Sequence, residues 1–157
     1  MSSNSAQRRR ATRRGFTLIE VLIVVVIVAV LAATIVPRFI DSAEDSKETV
    51  LKHNLHALRL QITLYKMHHA GMPPTIQGQQ LPQLTSPTNA AGDIGGGGPG
   101  FPCGPYIVSM PDNPYNGLNS VVPAAGNPPT AVVGNAGWQY HEASGRIWPD
   151  DSEFFDD

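Results

Sequence analysis

The stretch RRGFTLIEVLIVVVIVAVLAATIVPRF, residues 13–39, decides the fold because it joins an arginine-flanked start to a long apolar run. Within residues 16–36 only Thr17, Glu20 and Thr34 are polar. At about 1.5 Å per residue, a helix of this length measures roughly 30 Å, which is the thickness of the hydrocarbon core of a bilayer. The run therefore predicts a membrane-spanning helix.

Two other interpretations of this run fit its length and composition less well. A cleaved secretory signal peptide has an apolar region of about 7–15 residues that ends at a small-x-small site. The nearest site of that kind here, Val30-Leu31-Ala32, lies deep inside the run. A buried core helix is also a poor fit, because the run is apolar on all faces and follows a cluster of arginines. Both observations favour a retained span.

Charge is distributed unevenly along the chain. Five of the eleven basic residues precede Phe16, where there is no acid; they are Arg8, Arg9, Arg10, Arg13 and Arg14. The chain from Phe16 onward contains six lysines and arginines and thirteen aspartates and glutamates, which gives it a net charge of −7. Arginines beside an apolar span hold that end in the cytoplasm, so a single-pass membrane protein with an exported C-terminal domain is predicted. The acidic body lacks the basic surface that binds phosphates, so no nucleic-acid partner is expected.

Beyond Pro37 the apolar residues recur at helical spacing, which predicts an amphipathic continuation of the helix. These residues are Phe39, Ala43, Val50, Leu51, Leu55, Leu58, Ile62 and Tyr65. Gly71 and the prolines after it end the pattern. One helix is therefore predicted from about residue 16 to about residue 70, with a bend or local break at Pro37.

The rest of the chain predicts loops and short strands. Residues 71–105 form a Pro/Gly-rich loop without a helical pattern. Strand candidates follow at 106–110, 131–134, 137–142 and 146–149, and Ala143-Ser144-Gly145 is a tight turn between the last two. The large apolar side chains expected to cover the helix stripe are Tyr106, Trp138, Tyr140 and Trp148. The predicted fold class is α+β, a long N-terminal helix packed on a small C-terminal antiparallel sheet with long loops.

Glu20 is a carboxylate near the start of an otherwise apolar span. An ionised carboxylate at the centre of a membrane helix costs about 2.5–3.5 kcal/mol. Glu20 either lies close enough to the interface to reach water, or it pairs with a positive charge at the same depth. No lysine or arginine occurs between Phe16 and Pro37. A cut before Phe16 would create a free amine, and a neighbouring copy could supply it to Glu20 and so fix the register of a helix bundle.

Residues 13–39 resemble the class III leader and N-terminal helix of type IV pilins and of the pseudopilins of type II secretion systems. Three features match together: Gly15 before an aromatic Phe16, the FTLIEV opening with Glu20, and Pro37 at the end of the apolar segment. The resemblance implies that a prepilin peptidase cleaves after Gly15 and N-methylates Phe16. It further implies that Glu20 meets the N-terminal amine of an adjacent subunit. The implied partners are further copies of the chain, the peptidase, an inner-membrane assembly platform with its ATPase, and minor pseudopilins.

The C-terminal part resembles the major pseudopilins less closely. One of their loops is similar to GPYIVSMPDNPYNG at 104–117, and their C-terminal hairpin is similar to GWQYHEASGRIWP at 137–149. Major pseudopilins often carry a longer Asp-Pro-Trp-Gly-Asn-Pro-Tyr segment, of which this chain has only Asp112-Asn113-Pro114-Tyr115. Major pseudopilins commonly bind calcium in a C-terminal loop. The oxygen donors available for calcium here are Asp112, Asp150, Asp151, Asp156 and Asp157, and their spacing singles out no site.

The remaining chemistry-bearing residues point away from catalysis. His53 and His56 lie three residues apart on the helix and His68-His69 end it, but no third ligand is placed beside them, so they are predicted to be solvated. Cys103 is the single cysteine, which rules out an intrachain disulfide. Many type IV pilins close a C-terminal loop with a disulfide, so this favours the secretion side of the resemblance. The chain contains no P-loop and no GxSxG motif, and it is not expected to be an enzyme.

The sequence thus predicts five segments: a leader at 1–15, a transmembrane and filament-core helix at 16–37, an amphipathic helix at 38–70, a loop at 71–105, and a sheet with an acidic tail at 106–157. The predicted function is that of a structural subunit of a periplasmic pseudopilus that drives export of folded proteins. The alternatives are a type IV pilus subunit for adhesion, twitching or DNA uptake, and a periplasmic protein that uses the helix only as a tether.

Overall fold

The computed structural model describes residues 15–155, except for the side chains of residues 36–41. The chain divides into two compact units, Met1–Ser42 and Ala43–Asp157. Helix α1, Leu18–His68, contributes to both units and is followed by the one-turn helix α2, Pro82–Thr85. Three short strands, β1 Val121–Pro123, β2 Trp138–His141 and β3 Arg146–Pro149, precede a 3-10 turn at Ser152–Phe154. The predicted α+β, pilin-like fold is confirmed. Helix α1 is continuous through Pro37, so the local break predicted as one alternative is wrong, and the bend stays a prediction.

Helix α1 buries one stripe of its C-terminal half, as its periodicity predicts. Leu51, Leu55, Leu58, Ile62 and Tyr65 are at most 3% exposed. Two members of the predicted stripe do not belong to it, since Val50 is 45% exposed and Ala43 is also exposed. The buried stripe therefore begins at Leu51.

The C-terminal end of α1 is closed by two residues in the left-handed conformation. Ala70 has a φ of 53° and Gly71 a φ of 84°. The amide of Gly71 donates to the carbonyl of Lys66 at 2.8 Å, which satisfies one of the carbonyls that a helix end leaves unpaired.

The sheet has the order β1-β2-β3 and is mixed rather than wholly antiparallel. The predicted hairpin is confirmed, with Trp138 opposite Pro149 and His141 opposite Arg146. Strand β1 pairs with β2 in parallel, and Val121 lies opposite Trp138. The strand predictions at 106–110 and 131–134 are wrong, because both segments are irregular.

Both faces of the hairpin are covered, and α1 covers one of them. Trp138, Tyr140 and Ile147 are at most 1% exposed and belong to the same core cluster as the α1 stripe. The Trp138 indole donates to the carbonyl of Pro111 at 2.8 Å, and the Tyr140 hydroxyl donates to the carbonyl of Pro74 at 2.9 Å. These bonds satisfy the polar ends of the large aromatic side chains that α1 and the hairpin bury together.

The second hairpin face lies under the loop before β2. Gln139 and Trp148 are opposite each other across the two strands and are fully buried. The Gln139 amide donates to the carbonyl of Ala131 at 2.9 Å. The segment predicted as a strand at 131–134 therefore covers the sheet as a loop.

The Pro/Gly-rich loop at 71–105 is tied to the core at several points. Leu81 and Leu84, on either side of the start of α2, are fully buried, and the amides of Tyr106 and Ile107 both donate to the carbonyl of Leu84. Thr88 and Cys103 exchange backbone hydrogen bonds of 2.8 and 3.0 Å. Buried leucines and backbone bonds thus order a segment whose composition alone predicts flexibility.

Gly137 lies where the chain enters β2, against the backbone of Leu118. A Cβ at this position would collide with the Leu118 carbonyl oxygen and would lie 2.7 Å from its carbonyl carbon. We expect Gly137→Ala to lower the free energy of unfolding by about 1–3 kcal/mol, because a backbone segment must shift. Urea unfolding of the full-length protein in detergent measures the change. Gly96→Ala is the matched control, because its Cβ would meet nothing within 4 Å. Equal stabilities of the two variants would contradict this close approach.

Candidate functional site

The predicted cleavage junction lies just before α1. Residues 15–17 are outside any helix and α1 begins at Leu18. Gly15 is exposed, Phe16 is 83% exposed, and a Cβ at Gly15 would meet nothing within 4 Å. Both residues that flank the Gly15–Phe16 peptide bond are therefore exposed, as proteolytic cleavage requires.

Glu20 closes a capping box at the start of α1. Its Oε2 accepts the backbone amide of Thr17 at 2.9 Å and the Thr17 hydroxyl at 2.8 Å. The Thr17 hydroxyl in turn accepts the backbone amide of Glu20 at 3.3 Å. The reciprocal Thr-x-x-Glu pattern satisfies amides that a helix start leaves unpaired. Sequence reasoning treated Glu20 only as a charge and missed Thr17, although the Thr-x-x-Glu spacing was visible.

Glu20 has no basic partner among the residues that the structure describes. The described ion pairs lie further along α1 and join Glu44 to Lys47 and Glu48 to Lys52. The capping hydrogen bonds therefore satisfy the polarity of the carboxylate, but its charge remains uncompensated within the chain as described.

The apolar half of α1 is fully exposed in the single chain. Residues Leu18–Ile35 have a mean hydropathy of 3.1, and none of this window is buried. The window is 18 residues long, about 27 Å at the helical rise, and so matches a bilayer core in length and composition. An apolar surface of this extent requires lipid or other helices around it.

The comparisons with known proteins bear on this same segment. Residues 10–36 match the family model described as "Prokaryotic N-terminal methylation motif". The match indicates a type IV pilin-like prepilin. Prepilins of this kind are structural subunits with a single inner-membrane anchor, which suits the apolar half of α1. No curated protein and no solved structure matches the chain.

The other residues that the sequence analysis singles out do not converge on a metal in the described part of the chain. Within residues 15–155, leaving aside the undescribed side chains of residues 36–41, no three histidine, cysteine, aspartate or glutamate side chains are grouped to hold an ion. Asp156 and Asp157 lie outside the described residues. Asp112 accepts the Asn119 amide at 3.0 Å through its carboxylate, and Asp151 caps the 3-10 turn by accepting the amide of Glu153.

Asp150 is a buried clamp for the loop at 131–134. It is 4% exposed, and its two carboxylate oxygens accept the amides of Val133 and Gly134 at 2.7 Å each. The Gln139 side-chain amide donates to the same carboxylate at 2.6 Å. Three N–H groups thus surround the anion in the positions where a cation would need oxygen ligands.

This donor set does not fit calcium. Calcium takes six to eight oxygen ligands, and N–H groups aimed at the site repel it. Gln139 Oε1 is buried without a hydrogen-bond partner and supplies one further oxygen, far short of that number. The Asp150 carboxylate is held by the protein's own donors instead.

Asp150→Asn is expected to destabilise the C-terminal domain. The amide would present its own N–H groups to a ring of donors, and hydrogen bonds to charged groups contribute about 1.5–3 kcal/mol each. Urea unfolding of the full-length protein in detergent should show a loss of this order, while Asp151→Asn should lose less. We expect the unfolding midpoint of the unsubstituted protein to be the same with excess calcium and with a chelator. A rise with calcium that Asp150→Asn abolishes would contradict the clamp.

The predicted exposure of the histidines is correct for three of the four. His53, His56 and His68 are exposed, but His69 is fully buried and its ring stacks on Tyr65 with centroids 3.8 Å apart. Both ring nitrogens have partners, since Nδ1 lies 2.7 Å from the Tyr65 carbonyl and Nε2 lies 3.0 Å from the Thr88 hydroxyl. His69 therefore anchors the loop that follows α1, because the chain returns over the helix end at Thr88.

Cys103 belongs to the same region and is partly buried. Desolvation, with a smaller contribution from the nearby Cys103 thiol, raises the pKa of Tyr106 to about 12. The Tyr106 hydroxyl therefore stays protonated and lies 2.9 Å from Nδ1 of His68. The cluster ties the loop to α1 and brings no nucleophile to an open site.

Proposed function

We propose that this chain is a structural subunit of a periplasmic pseudopilus that drives export of folded proteins in type II secretion. The observation that carries the proposal is the fully exposed apolar half of α1, which opens with the accessible Gly15–Phe16 junction and Glu20. A lone chain must keep this surface in lipid, whereas a helical filament replaces the lipid with neighbouring helices. The same segment then serves first as a membrane anchor and later as a filament core.

Processing prepares the chain for assembly. A prepilin peptidase cuts after Gly15 and N-methylates Phe16, which leaves a positively charged amine at the start of the apolar helix. The amine of one subunit compensates the charge of Glu20 in its neighbour, and the pair fixes the axial register of the two helices. Pro37 marks the place where the helix bends or melts as the subunit leaves the membrane.

Each proposed segment of the chain has a separate role in processing, anchoring or assembly. Residues 1–15 are the cytoplasmic leader that is removed, 16–37 anchor the chain and build the filament core, and residues from 38 onward form the periplasmic body. Assembly requires an inner-membrane platform with its cytoplasmic ATPase, together with minor pseudopilins. The leader arginines set the orientation.

The second candidate is a type IV pilus subunit, which shares the processed helix. The single cysteine favours secretion, because it leaves the C-terminal region without an intrachain disulfide. Deletion of the gene in its host separates the two functions. Retention of normally extracellular enzymes in the periplasm, with surface pili unchanged, supports secretion. Loss of surface pili, twitching or DNA uptake with normal secretion supports the pilus subunit and contradicts our proposal.

A further inference from the structure

Asn116 and Gly117 form the single Asn-Gly pair of the chain. An asparagine loses its side-chain amide most readily before glycine, because glycine has no side chain to hinder a reaction at its backbone nitrogen. Both residues are exposed and lie in the segment between α2 and β1. The pair therefore combines a reactive sequence with access to water, which is the second reactant of deamidation.

Deamidation at this pair begins within the chain itself. The Gly117 backbone nitrogen attacks the side-chain carbonyl carbon of Asn116, and the C–N bond that forms closes a cyclic imide. The bond to the Asn116 side-chain nitrogen breaks, and this nitrogen leaves as ammonia together with the proton of the Gly117 amide. Water then opens the imide at either carbonyl and yields aspartate or isoaspartate. The reaction needs no oxidant, reductant or enzyme.

The folded turn engages both reacting groups in other hydrogen bonds. The Gly117 amide donates to the carbonyl of Asn113 at 2.7 Å, so the attacking nitrogen is occupied. The Asn116 side chain is held at both ends, since its Oδ1 accepts the amide of Leu118 at 2.9 Å and its Nδ2 donates to the carbonyl of Ala136 at 2.8 Å. To close the imide ring, this side chain must rotate and the Gly117 amide must leave its acceptor.

The turn depends on the same glycine that makes the pair reactive. Gly117 has a φ of 70°, a left-handed conformation that most other residues adopt only with strain. Asn113, whose carbonyl closes the turn, is fully buried, and its side chain donates to the carbonyl of Gly137 at 3.1 Å. The turn is thus fastened to the residues that lead into β2.

We call the contact of residues 113–118 with residues 136–137 the loop–sheet junction. It consists of the side-chain bonds of Asn113 and Asn116 and of the close approach of Gly137 to the backbone of Leu118. The Asn116 side chain can rotate freely only when the junction opens, because its Nδ2 bonds across it. A reaction that proceeds through an open state occurs in proportion to the population of that state.

We propose that Asn116 is a deamidation site that the folded turn protects, so that its conversion marks chains whose loop–sheet junction has opened. The mark is permanent, because ammonia is lost. Conversion also weakens the junction. Aspartate has no N–H group for the Ala136 carbonyl, and isoaspartate lengthens a backbone that already packs tightly against Gly137. The site stands independently of the proposed filament function.

The rates of conversion in the folded and in the unfolded chain test the protection. The full-length protein is incubated in detergent, with and without guanidinium chloride, at the same pH and temperature. Peptide mass spectrometry after incubation in heavy-oxygen water measures the aspartate and isoaspartate formed at Asn116. We expect conversion in the folded chain to be at least about tenfold slower than in the unfolded chain.

Two glycine variants test whether the junction controls the reaction. Gly137→Ala forces the backbone of Leu118 to shift, so it should raise the rate of conversion at Asn116 in the folded chain at least about threefold. Gly96→Ala is the matched control, because its Cβ meets nothing within 4 Å, and it should convert at the unsubstituted rate. Circular dichroism verifies that both variants are folded. If Gly137→Ala proves unfolded, the folded and unfolded rates of the unsubstituted chain decide alone.

Asn116→Asp reproduces one of the products of conversion. It should raise the rate of amide hydrogen exchange at residues 113–118 at least about threefold, because the bond to the Ala136 carbonyl is lost. Asn127→Asp is the matched control, since its carboxylate still accepts from Arg146 as the amide oxygen does. Its hydrogen exchange at residues 113–118 should equal that of the unsubstituted chain.

Each of the following results would overturn the proposal. Equal rates of conversion in the folded and unfolded chains would show that the turn gives no protection. Absence of conversion in the unfolded chain would show that Asn116 is not a deamidation site. A folded Gly137→Ala chain that converts at the unsubstituted rate would show that the junction does not control the reaction. Unchanged hydrogen exchange in Asn116→Asp would show that conversion leaves the junction closed.

Discussion

Replacing Glu20 with glutamine is expected to abolish filament assembly while membrane insertion stays intact. Glutamine keeps the carbonyl oxygen that accepts the Thr17 amide and hydroxyl, so the capping box at the start of α1 survives. It removes the negative charge, so in the proposed filament the amine of a neighbouring processed subunit would lose its partner in a medium of low dielectric constant. The loss of one partner of a buried ion pair costs about 3–5 kcal/mol, enough to eliminate assembly. Electron microscopy of sheared filaments and membrane fractionation measure the two effects.

Thr17→Ala is the matched control for this experiment. It removes the hydroxyl of the capping box and leaves the charge of Glu20 in place. The loss of a helix cap costs about 0.5–2 kcal/mol, and neighbouring helices can compensate for it in a filament. We therefore expect Thr17→Ala to assemble, and Glu20→Ala, which loses both cap and charge, to fail. Normal filaments from Glu20→Gln, or loss of filaments from Thr17→Ala, would mean that Glu20 acts as a cap and not as a charge.

Trp138→Ala is expected to lower the stability of the C-terminal domain by about 3–5 kcal/mol. The side chain is fully buried between α1 and the sheet, so its removal leaves a cavity in the centre of the core. It also leaves the Pro111 carbonyl without its indole donor. Because domains are stable by only about 5–15 kcal/mol, this loss is a large share of the total.

Unfolding of the full-length protein in detergent, followed by the fluorescence of Trp148, measures the change. Trp138→Phe retains most of the apolar area and should lose clearly less than Trp138→Ala. A loss below about 1 kcal/mol for the alanine variant would mean that this side chain is exposed in solution, and would contradict the packing of the hairpin on α1.

Long periodic segments were predictable from the sequence and short segments were not. Helix α1 carries a helical pattern over many turns, and the hairpin has alternating aromatic residues around a clear turn. Strand β1 is three residues long and ends in Pro123, so no pattern marks it. The segments at 106–110 and 131–134 have strand-like composition, but side-chain and backbone bonds from elsewhere in the fold hold them as loops.

The parts of the candidate site that are formed by residues close together in the sequence were predictable. Gly15, Phe16 and Glu20 were selected from adjacent residues, and the capping box at Thr17 was available by the same spacing rule. The clamp at Asp150 and the burial of His69 depend on partners that are distant in sequence, Val133 and Thr88 respectively. Such contacts depend on how the loops pack back onto the core, and the amino-acid composition of the loops does not predict them.

The N terminus of the mature protein tests the central claim most directly. Intact-mass and fragment mass spectrometry of the protein from its own host's membranes reads that terminus. The account predicts a chain that begins at N-methylated Phe16, with residues 1–15 removed. A chain that retains residues 1–15 would contradict prepilin processing, remove the amine that Glu20 requires, and leave the N-terminal helix as a plain anchor.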